Sequence, residues 1–368
     1  MADIKPIAIY LPQFHPIPEN DEWWGKGFTE WRNVAKAQPL FKGHYQPHLP
    51  ANLGFYDLRI SEVREAQTQM AKDHGIYGFC YYHYWFNGKR LLNTPVDEIL
   101  ESGKPDFPFC LSWVNENWTR VWNGSENNIL IKQNYSVEDD EKHIEFLLKI
   151  FSDERYIKVD GKPLIIIYSP EKLPDPVRTT NIWRKKAISR GFRDLFIAGT
   201  EKSEKLPDPE KIGFNAIIEF SPNWTKLGDS LKNSLYNKFL GLIYYRYKNR
   251  LKHSIYDYKN LIVNSSVEEI RLYPYFRGIT PGWDNSPRKN ENATIIINST
   301  PGDYYNWFKN ILNYTMKNNT IPEKFIFINA WNEWAEGNHL EPCTKWGLQY
   351  LEATKKALME ASGYSKKI

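Results

Sequence analysis

Short apolar runs alternate along the chain with longer amphipathic stretches. Each run ends at Gly, Pro, Asn or an aromatic residue, which is typical of buried strands connected by crossover helices. The strand candidates are Pro6–Tyr10, Gly75–Tyr82, Phe107–Trp113, Leu164–Tyr168, Leu195–Gly199, Ala216–Phe220, Leu272–Phe276 and Phe325–Asn329. Helical periodicity is clearest in Ser61–Lys72, Glu138–Phe151 and Trp346–Ala361. Eight strands that alternate with helices predict an α/β fold, a single (β/α)₈ TIM barrel with elaborated βα loops.

The chain shows no Gly/Ser-rich or Pro-rich linker, so we expect residues 1–368 to form a single catalytic barrel. One stretch, about 225–265, is basic, Tyr-rich and longer than a barrel helix requires, and we interpret it as an insertion between strands six and seven. We favour packed helices with solvated lysines there over a peripheral membrane contact. No apolar stretch approaches the roughly 20 residues of a transmembrane helix.

Charge and cysteine content narrow the function. With 48 basic and 44 acidic side chains the net charge is +4, which does not favour a nucleic-acid partner. Three widely spaced cysteines predict neither a disulfide framework nor a zinc site. The amino-terminal residues lack the features of a signal peptide, so we expect a cytoplasmic location. No metal-ligand spacing or cofactor fingerprint is present, and we expect neither a metal nor a cofactor.

Aromatic residues make up 15% of the chain, including 14 Trp. Many of them stand beside Asn, Gly and Pro in segments that should be loops. Aromatic rings of this kind either pack into cores or form platforms for the apolar faces of sugars. Composition alone leaves both uses open.

The segment after predicted strand eight carries the most specific chemistry. Catalytic groups of a (β/α)₈ barrel lie at the carboxyl ends of its strands. Glu333 and Glu336 stand there, beside Trp331 and Trp334 and before Gly337. Glycosidic-bond chemistry needs one protonated and one ionised carboxyl, and two close carboxyls resist double ionisation. We therefore predict Glu333 and Glu336 to be catalytic; the alternative is two ordinary surface glutamates.

Other strand ends supply candidate glycan-binding groups, since amides, carboxylates and guanidinium groups pair with sugar hydroxyls and aromatic rings cover the C–H faces. The predicted substrate-binding residues are Tyr10, His15, Tyr81, Tyr82, Trp85, Trp113, Asn115, Glu116, Asn117, Trp118, Trp283, Asp284, Arg288, Trp331, Trp334 and Glu341. For His15 a packing role is as plausible as ligand contact, and Asn115–Asn117 is also compatible with a solvated loop.

Several of these segments resemble a known family. The runs IAIYLPQFH, FTEWRNVAKAQP, GFCYYHYWF, FCLSWVNENW and INAWNEWAEGNHLEP are similar to WbsX-like proteins, which are usually described as glycosyltransferases of surface-polysaccharide gene clusters. Those proteins in turn resemble glycoside hydrolase family 99, the endo-α-mannosidases and endo-α-mannanases. The likeness covers nearly the whole chain, and TPGWDNSPR and WNEWAEG are its most specific motifs.

The resemblance implies a (β/α)₈ barrel and a metal-independent retaining mechanism. In family 99 the first Glu of the last loop is a base on the sugar 2-hydroxyl, which attacks C1 to give a 1,2-anhydro sugar, and the second Glu is the general acid. Motif for motif, Glu333 takes the first role and Glu336 the second. Ala335 and the WWGKGFTEW run depart from the hydrolase pattern, and the latter follows the WbsX pattern.

Three functions follow from these observations. The first is a retaining glycoside hydrolase that acts on a polysaccharide or oligosaccharide. The second is a glycosyltransferase or transglycosylase in surface-polysaccharide biosynthesis; the chain shows neither a DxD-like pair nor a phosphate-binding Gly loop for ordinary nucleotide-sugar transfer. The third is a glycan-binding barrel without turnover, which would not need two clustered acids beside Trp.

Overall fold

The computed structural model describes residues 4–119, 129–231, 252–266, 271–289, 291–318, 320 and 322–361. Its central sheet is a parallel barrel, and strands adjacent in sequence are adjacent in space. The strands are β1 (Lys5–Tyr10), β2 (Gly78–Phe86), β3 (Phe109–Trp113), β4 (Lys162–Ile167), β5 (Phe196–Glu201), β6 (Ala216–Glu219), β7 (Tyr275–Phe276 and Gly278–Ile279) and β8 (Phe325–Ile328). β1 pairs with β8 from Lys5–Phe325 to Ala8–Ile328. The predicted (β/α)₈ fold is confirmed.

Helices cover the outside of the barrel. They are α1 (Ser61–Asp73), α2 (Thr94–Ser102), α3 (Val137–Phe151), α4 (Pro176–Ser189), α5 (Tyr258–Ser265), α6 (Pro301–Lys317) and α7 (Gln349–Ala361). Side-chain caps define where several of them begin: Ser136, Asp175 and Thr300 each accept a hydrogen bond from a first-turn amide. In the described chain the connection between β5 and β6 carries only the 3₁₀ turn Pro209–Ile212. The loop after β1 adds two short helices, Pro18–Trp24 and Trp31–Lys36.

Strand two runs further than the sequence predicts. The expected strand ended at Tyr82, but β2 continues to Phe86 and forms a hairpin with Lys89–Leu91. The hairpin places Tyr81 to Trp85 inside a strand, where successive side chains point to opposite faces. Tyr82, Tyr84 and Phe86 therefore share one face, and Tyr81, His83 and Trp85 share the other.

Strand seven is divided and closes the barrel. The expected strand began at Leu272, but that side chain is 92% exposed, and the pairing begins at Tyr275. Tyr275–Phe276 pairs with β6, and Gly278–Ile279 pairs with β8. A Cβ at Gly278 would lie 2.1 Å from the Glu219 carbonyl oxygen, so only glycine allows this approach between β6 and β7.

Part of the predicted 225–265 insertion is described, and residues 232–251 lie outside the described ranges. Between β6 and β7 the chain forms the 3₁₀ turn Trp224–Lys226, the strand Ser254–Asp257 and α5. Ser254–Asp257 pairs in parallel with Thr294–Ile297, and that strand pairs with Trp283–Asp284. Across the described ranges we find no helix with the length and apolarity of a membrane span.

Candidate active site

Glu333 and Glu336 lie on a tight loop that follows β8. Asn332–Glu333 pairs antiparallel with Asn338–His339, and the 3₁₀ turn Trp334–Glu336 closes the loop between them. Gly337 ends the turn with a φ of +57°, a conformation that favours glycine. A Cβ there would also lie 3.0 Å from the Cβ of Asp284. The loop can therefore fold back tightly only with glycine at this position.

Two buried asparagines fix this loop to the barrel. The Asn332 side chain accepts from the Leu11 amide (2.8 Å) and donates to the Leu11 carbonyl (3.0 Å) at the end of β1. The Asn338 side chain accepts from the Thr280 hydroxyl (2.9 Å), which follows β7. Loop eight is thus attached to both neighbouring strands, and its carboxyls are held in place.

Arg288 connects the two carboxyls. Its Nη1 donates to Glu336 Oε1 at 2.5 Å, and its Nη2 donates to Glu333 Oε2 at 3.0 Å. A third carboxyl, Glu30, accepts from Arg288 Nε at 3.2 Å. One guanidinium therefore faces three carboxyls, and at least one carboxyl must be protonated for the local charge to approach balance.

Burial determines how these groups ionise. It raises the pKa of Glu333 to about 8, with Glu336 and Glu30 adding to the effect and Arg288 opposing it. Burial also raises the pKa of Glu336, again against Arg288. Both carboxyls contact the same guanidinium, so the titration belongs to the pair, and the pair retains a proton near neutral pH.

Both glutamates face one cleft of about 260 Å³ at the carboxyl ends of the strands. Its aromatic lining consists of Tyr82, Tyr84, Phe86, Trp118, Tyr168, Phe220 and Trp283. Burial raises the pKa of Tyr82, Tyr84 and Tyr168 well above the usual range, so these phenols stay protonated. The cleft combines aromatic surface with hydroxyl groups, which suits a polyhydroxylated ring.

Glu116 forms the wall of the cleft, within reach of two lysines. Its Oε1 accepts from the Ser169 hydroxyl at 2.5 Å and from Lys202 Nζ at 3.0 Å, and Lys172 lies 3.1 Å away. Burial opposes ionisation, but Lys202, Ser169 and Lys172 together hold the pKa of Glu116 below its usual range. Asn115 fixes this wall, because its amide exchanges two 2.8 Å hydrogen bonds with the Ser169 backbone.

A larger cleft of about 610 Å³ is lined in part by Pro281 to Asp284 of loop seven, the segment that follows β7, and shares Trp283 with the first. Asp284 lines it and accepts from His44 Nε2 (2.7 Å) and Gln46 Nε2 (2.6 Å). Burial opposes ionisation of Asp284, but hydrogen bonds from His44, Ser286 and Gln46 hold its pKa below the usual range. Lys345 and Trp346 are also part of the lining.

The structure brings about half of the predicted site residues into the carboxylate cleft. These are Tyr82, Glu116, Asn117, Trp118, Trp283, Arg288, Glu333 and Glu336. Asp284 lies in the larger cleft. The others are buried behind the cleft wall, namely Tyr10, His15, Tyr81, Trp85, Trp113, Asn115, Trp331, Trp334 and Glu341. Several support the site, as Glu341 does by accepting from Trp334 Nε1 at 2.6 Å.

Sequence reasoning did not select Glu30, Tyr84, Ser169 or Lys202 as site residues. Ser169 lies two residues after β4 and Lys202 lies directly after β5, so the rule that barrel sites lie at strand ends would have indicated them. Tyr84 could be placed only once the length of β2 was known. Among the described residues, no group of three or more His, Cys, Asp or Glu is arranged to hold a metal ion.

Comparison with known proteins gives the family. The profile described as glycosyltransferase WbsX matches residues 6–354. The chain belongs to the WbsX glycosyltransferase family. It is 40% identical over 364 residues to WxcX, an uncharacterized protein of Xanthomonas campestris pv. campestris, and the match covers 98% of this chain. The chain spans about half the length of these WxcX relatives, 50% in each of two strains.

Solved structures share the barrel of this WbsX family member. The GH99 endo-alpha-mannosidase from Bacteroides thetaiotaomicron superposes with a TM-score of 0.58 at 15% identity, and 100% of each chain is covered. A protein described as glycoside hydrolase-like gives a TM-score of 0.59 at 14% identity, covering 97% of this chain and 94% of the other. At these identities the likeness shows the fold.

Proposed function

We propose that this WbsX protein is a carbohydrate-active enzyme that breaks a glycosidic bond with retention of configuration, using Glu333 and Glu336. The observation that carries the proposal is the pair itself: two buried carboxyls on one guanidinium, facing one aromatic cleft at the mouth of the barrel. Glycosidic-bond chemistry requires such a pair to hold one proton. Burial and mutual repulsion favour that state here.

The proposed first step follows the mechanism that the family 99 resemblance implies. Glu333 takes the proton of the sugar 2-hydroxyl, and that oxygen attacks C1. Glu336 gives its proton to the leaving oxygen as the C1–O bond breaks, which leaves a 1,2-anhydro sugar. In the second step an incoming hydroxyl loses its proton to Glu336 and attacks C1, and the 2-oxygen recovers its proton from Glu333. Two inversions at C1 give net retention.

Substrate binding has to place the shared proton on Glu336. In the free site burial raises the pKa of Glu333 to about 8 and also raises that of Glu336, so the pair holds one proton at neutral pH. A sugar 2-hydroxyl that donates a hydrogen bond to Glu333 favours its ionised form. We propose that this contact localises the shared proton of the pair on Glu336.

Hydrolysis and transfer differ only in the incoming hydroxyl, which is water in one and a sugar in the other. Transfer is a second candidate, because the larger cleft shares Trp283 with the carboxylate cleft and has room for a saccharide acceptor. An extended glycan that crosses Trp283 would equally use both clefts during hydrolysis. Transfer is therefore retained beside hydrolysis.

One experiment tests the proposal and separates its two forms. The protein is incubated with a panel of polysaccharides and oligosaccharides, with and without sugar nucleotides, and the products are analysed. We expect shortened or rearranged glycans without any sugar nucleotide, and none from Glu333→Gln. Turnover that depends on a sugar nucleotide, or turnover by Glu333→Gln at the wild-type rate, would contradict the proposal.

A further inference from the structure

Glu30 is a buried carboxyl that the proposed mechanism does not use. Its residue has no exposed surface, and its Oε2 lies 3.2 Å from Arg288 Nε and 3.1 Å from Arg288 Nη2. None of the described residues makes a hydrogen bond to its Oε1. A buried carboxyl with one oxygen unpaired is destabilising, so a structural reason alone does not account for a glutamate here.

The backbone around Glu30 is firmly held. Its amide donates to the Gln13 carbonyl at 3.2 Å, and its carbonyl accepts from Asn33 at 3.0 Å where the Trp31–Lys36 helix begins. The neighbouring Trp31 ring lies 5.5 Å from the Trp334 ring of loop eight, measured between centroids. The loop after β1 is thus packed on the catalytic loop, and Glu30 reaches Arg288 from a fixed position.

We propose that Glu30 is a positioning residue, which orients Arg288 across Glu333 and Glu336 and whose negative charge keeps one proton on that pair. Arg288 has its Nε and Nη2 directed to Glu30 and its Nη1 directed to Glu336, so Glu30 fixes the rotation of the guanidinium plane. The part that the retained proton plays in catalysis rests on the proposed function. The effect of Glu30 on the protonation of the pair is independent of the proposed function.

Charges from three loops decide whether the proton stays. Glu30 from loop one, with Glu333 and Glu336 from loop eight, opposes further ionisation, while Arg288 and Lys289 from loop seven favour it. Tyr84 from β2 faces the same cluster as a neutral phenol. If all three carboxyls were ionised, their three negative charges against the single positive charge of Arg288 would leave a net charge of −2 in a buried site. Neutralising Glu30 removes one of them, and the pair should release its proton at lower pH.

The test is an infrared titration of the protonated carboxyl band in the protein without substrate, with Glu333→Gln used to assign the band. In the wild type we expect a midpoint near pH 8. Glu30→Gln removes the charge and keeps an acceptor for Arg288, so its midpoint should fall by about one pH unit or more. Glu22→Gln removes the same charge from an exposed position in the same loop and should leave the midpoint unchanged.

A second variant, Glu30→Asp, provides the test if Glu30→Gln fails to fold. Glu30→Asp keeps the negative charge but places it one methylene further from Arg288 and from the pair. The charge of residue 30 raises the pKa values of Glu333 and Glu336, and Arg288 lowers them. The charge is kept but lies further away, so the midpoint should fall by clearly less than one pH unit. An unshifted midpoint in folded Glu30→Gln, or a fall of one unit in Glu30→Asp, would overturn the inference. If Glu333→Gln also retained full glycan turnover, the proposed function would fail independently of this titration.

Discussion

At the residue scale, the site depends on one arginine shared by three acids. Arg288 contacts Glu30, Glu333 and Glu336, and the pKa of Arg288 lies well above its usual range because these carboxyls outweigh the effect of burial. The arginine is therefore a permanent charge, and the glutamates are the groups that change protonation. Under the proposed function, the general acid and the general base are therefore sought among these glutamates.

The first prediction concerns the leaving group. Glu336→Gln should lose about 10²- to 10⁴-fold in kcat on ordinary oligosaccharides, whose leaving oxygen needs a proton. It should keep much more of its rate on activated aryl glycosides, which leave without protonation. Glu333→Gln should lose activity on both substrates. Rate measurements on the two substrate types test this, and an equal loss for both in Glu336→Gln would contradict the acid assignment.

The second prediction concerns pH. The productive form of the pair holds one proton, so kcat/KM should be bell-shaped against pH. Activity should fall on the alkaline side near pH 8, because burial raises the pKa of Glu333 to about 8 and the pair loses its last proton there. On the acid side of the profile, kcat/KM should fall where the pair takes up a second proton, and that limb reports the first ionisation of the pair. A profile that is flat from pH 6 to pH 10 would rule out this pair as the acid and base.

At the element scale, strand ends bring together residues that are distant in sequence. Loop three supplies Glu116, β4 is followed by Ser169, and β5 is followed by Lys202. The Ser169 backbone and hydroxyl join these loops through Asn115 and Glu116. The wall of the cleft is thus made by three consecutive βα connections, and none of them forms it alone.

The eight strands, and the position of Glu333 and Glu336 in the loop after β8, could be predicted because each is a local pattern. Side-chain direction could not be predicted in the same way. Trp85 was expected beyond the end of strand two, yet it lies in β2, because the hairpin with Lys89–Leu91 extends the strand. Tyr81 lies in the strand as predicted, and neither side chain lines the cleft. Glu30 reaches Arg288 over 258 residues of sequence, and nothing in its local surroundings indicates that contact.

The third prediction concerns the cleft wall. Glu116→Ala should cost about 2–3 kcal/mol in kcat/KM with the fold intact, since it removes a charged anchor and leaves a sugar hydroxyl unpaired. Glu171→Ala is the matched control, because Glu171 lies 3.6 Å from the same Lys202 but is not part of the cleft lining. If Glu116→Ala lowered the melting temperature and left kcat/KM unchanged, Glu116 would be only a loop contact.

At the scale of the whole molecule, barrel closure positions loops one, seven and eight around one point. β1, β7 and β8 are neighbours in the sheet, so the loops that follow them carry Glu30, Arg288 and the Glu333–Glu336 pair to the same mouth. Burial opposes the ionisation of Glu333 and Glu336, so the free energy of unfolding falls when these acids ionise. Such a conflict between stability and function is common at active sites.

The fourth prediction follows from that conflict. The folded pKa of Glu333 is about 8 against an ordinary value of 4.5. Its contribution to stability is fully present below about pH 4.5 and is lost as pH rises through about 8, by at most about 1.4 kcal/mol per pH unit. The wild type should therefore lose stability relative to Glu333→Gln between pH 5 and pH 8. Denaturant titrations at several pH values test this, and parallel curves would contradict the burial of an ionisable Glu333.

The most direct test of the account is the anomeric configuration of the first product formed by the wild type. Proton NMR during the earliest turnover, on a glycan that the protein processes, distinguishes the two anomers before they equilibrate. We expect the configuration of the substrate to be retained, and no product from Glu333→Gln. An inverted product, or a retained product formed equally fast by Glu333→Gln, would contradict glycosidic cleavage by this pair.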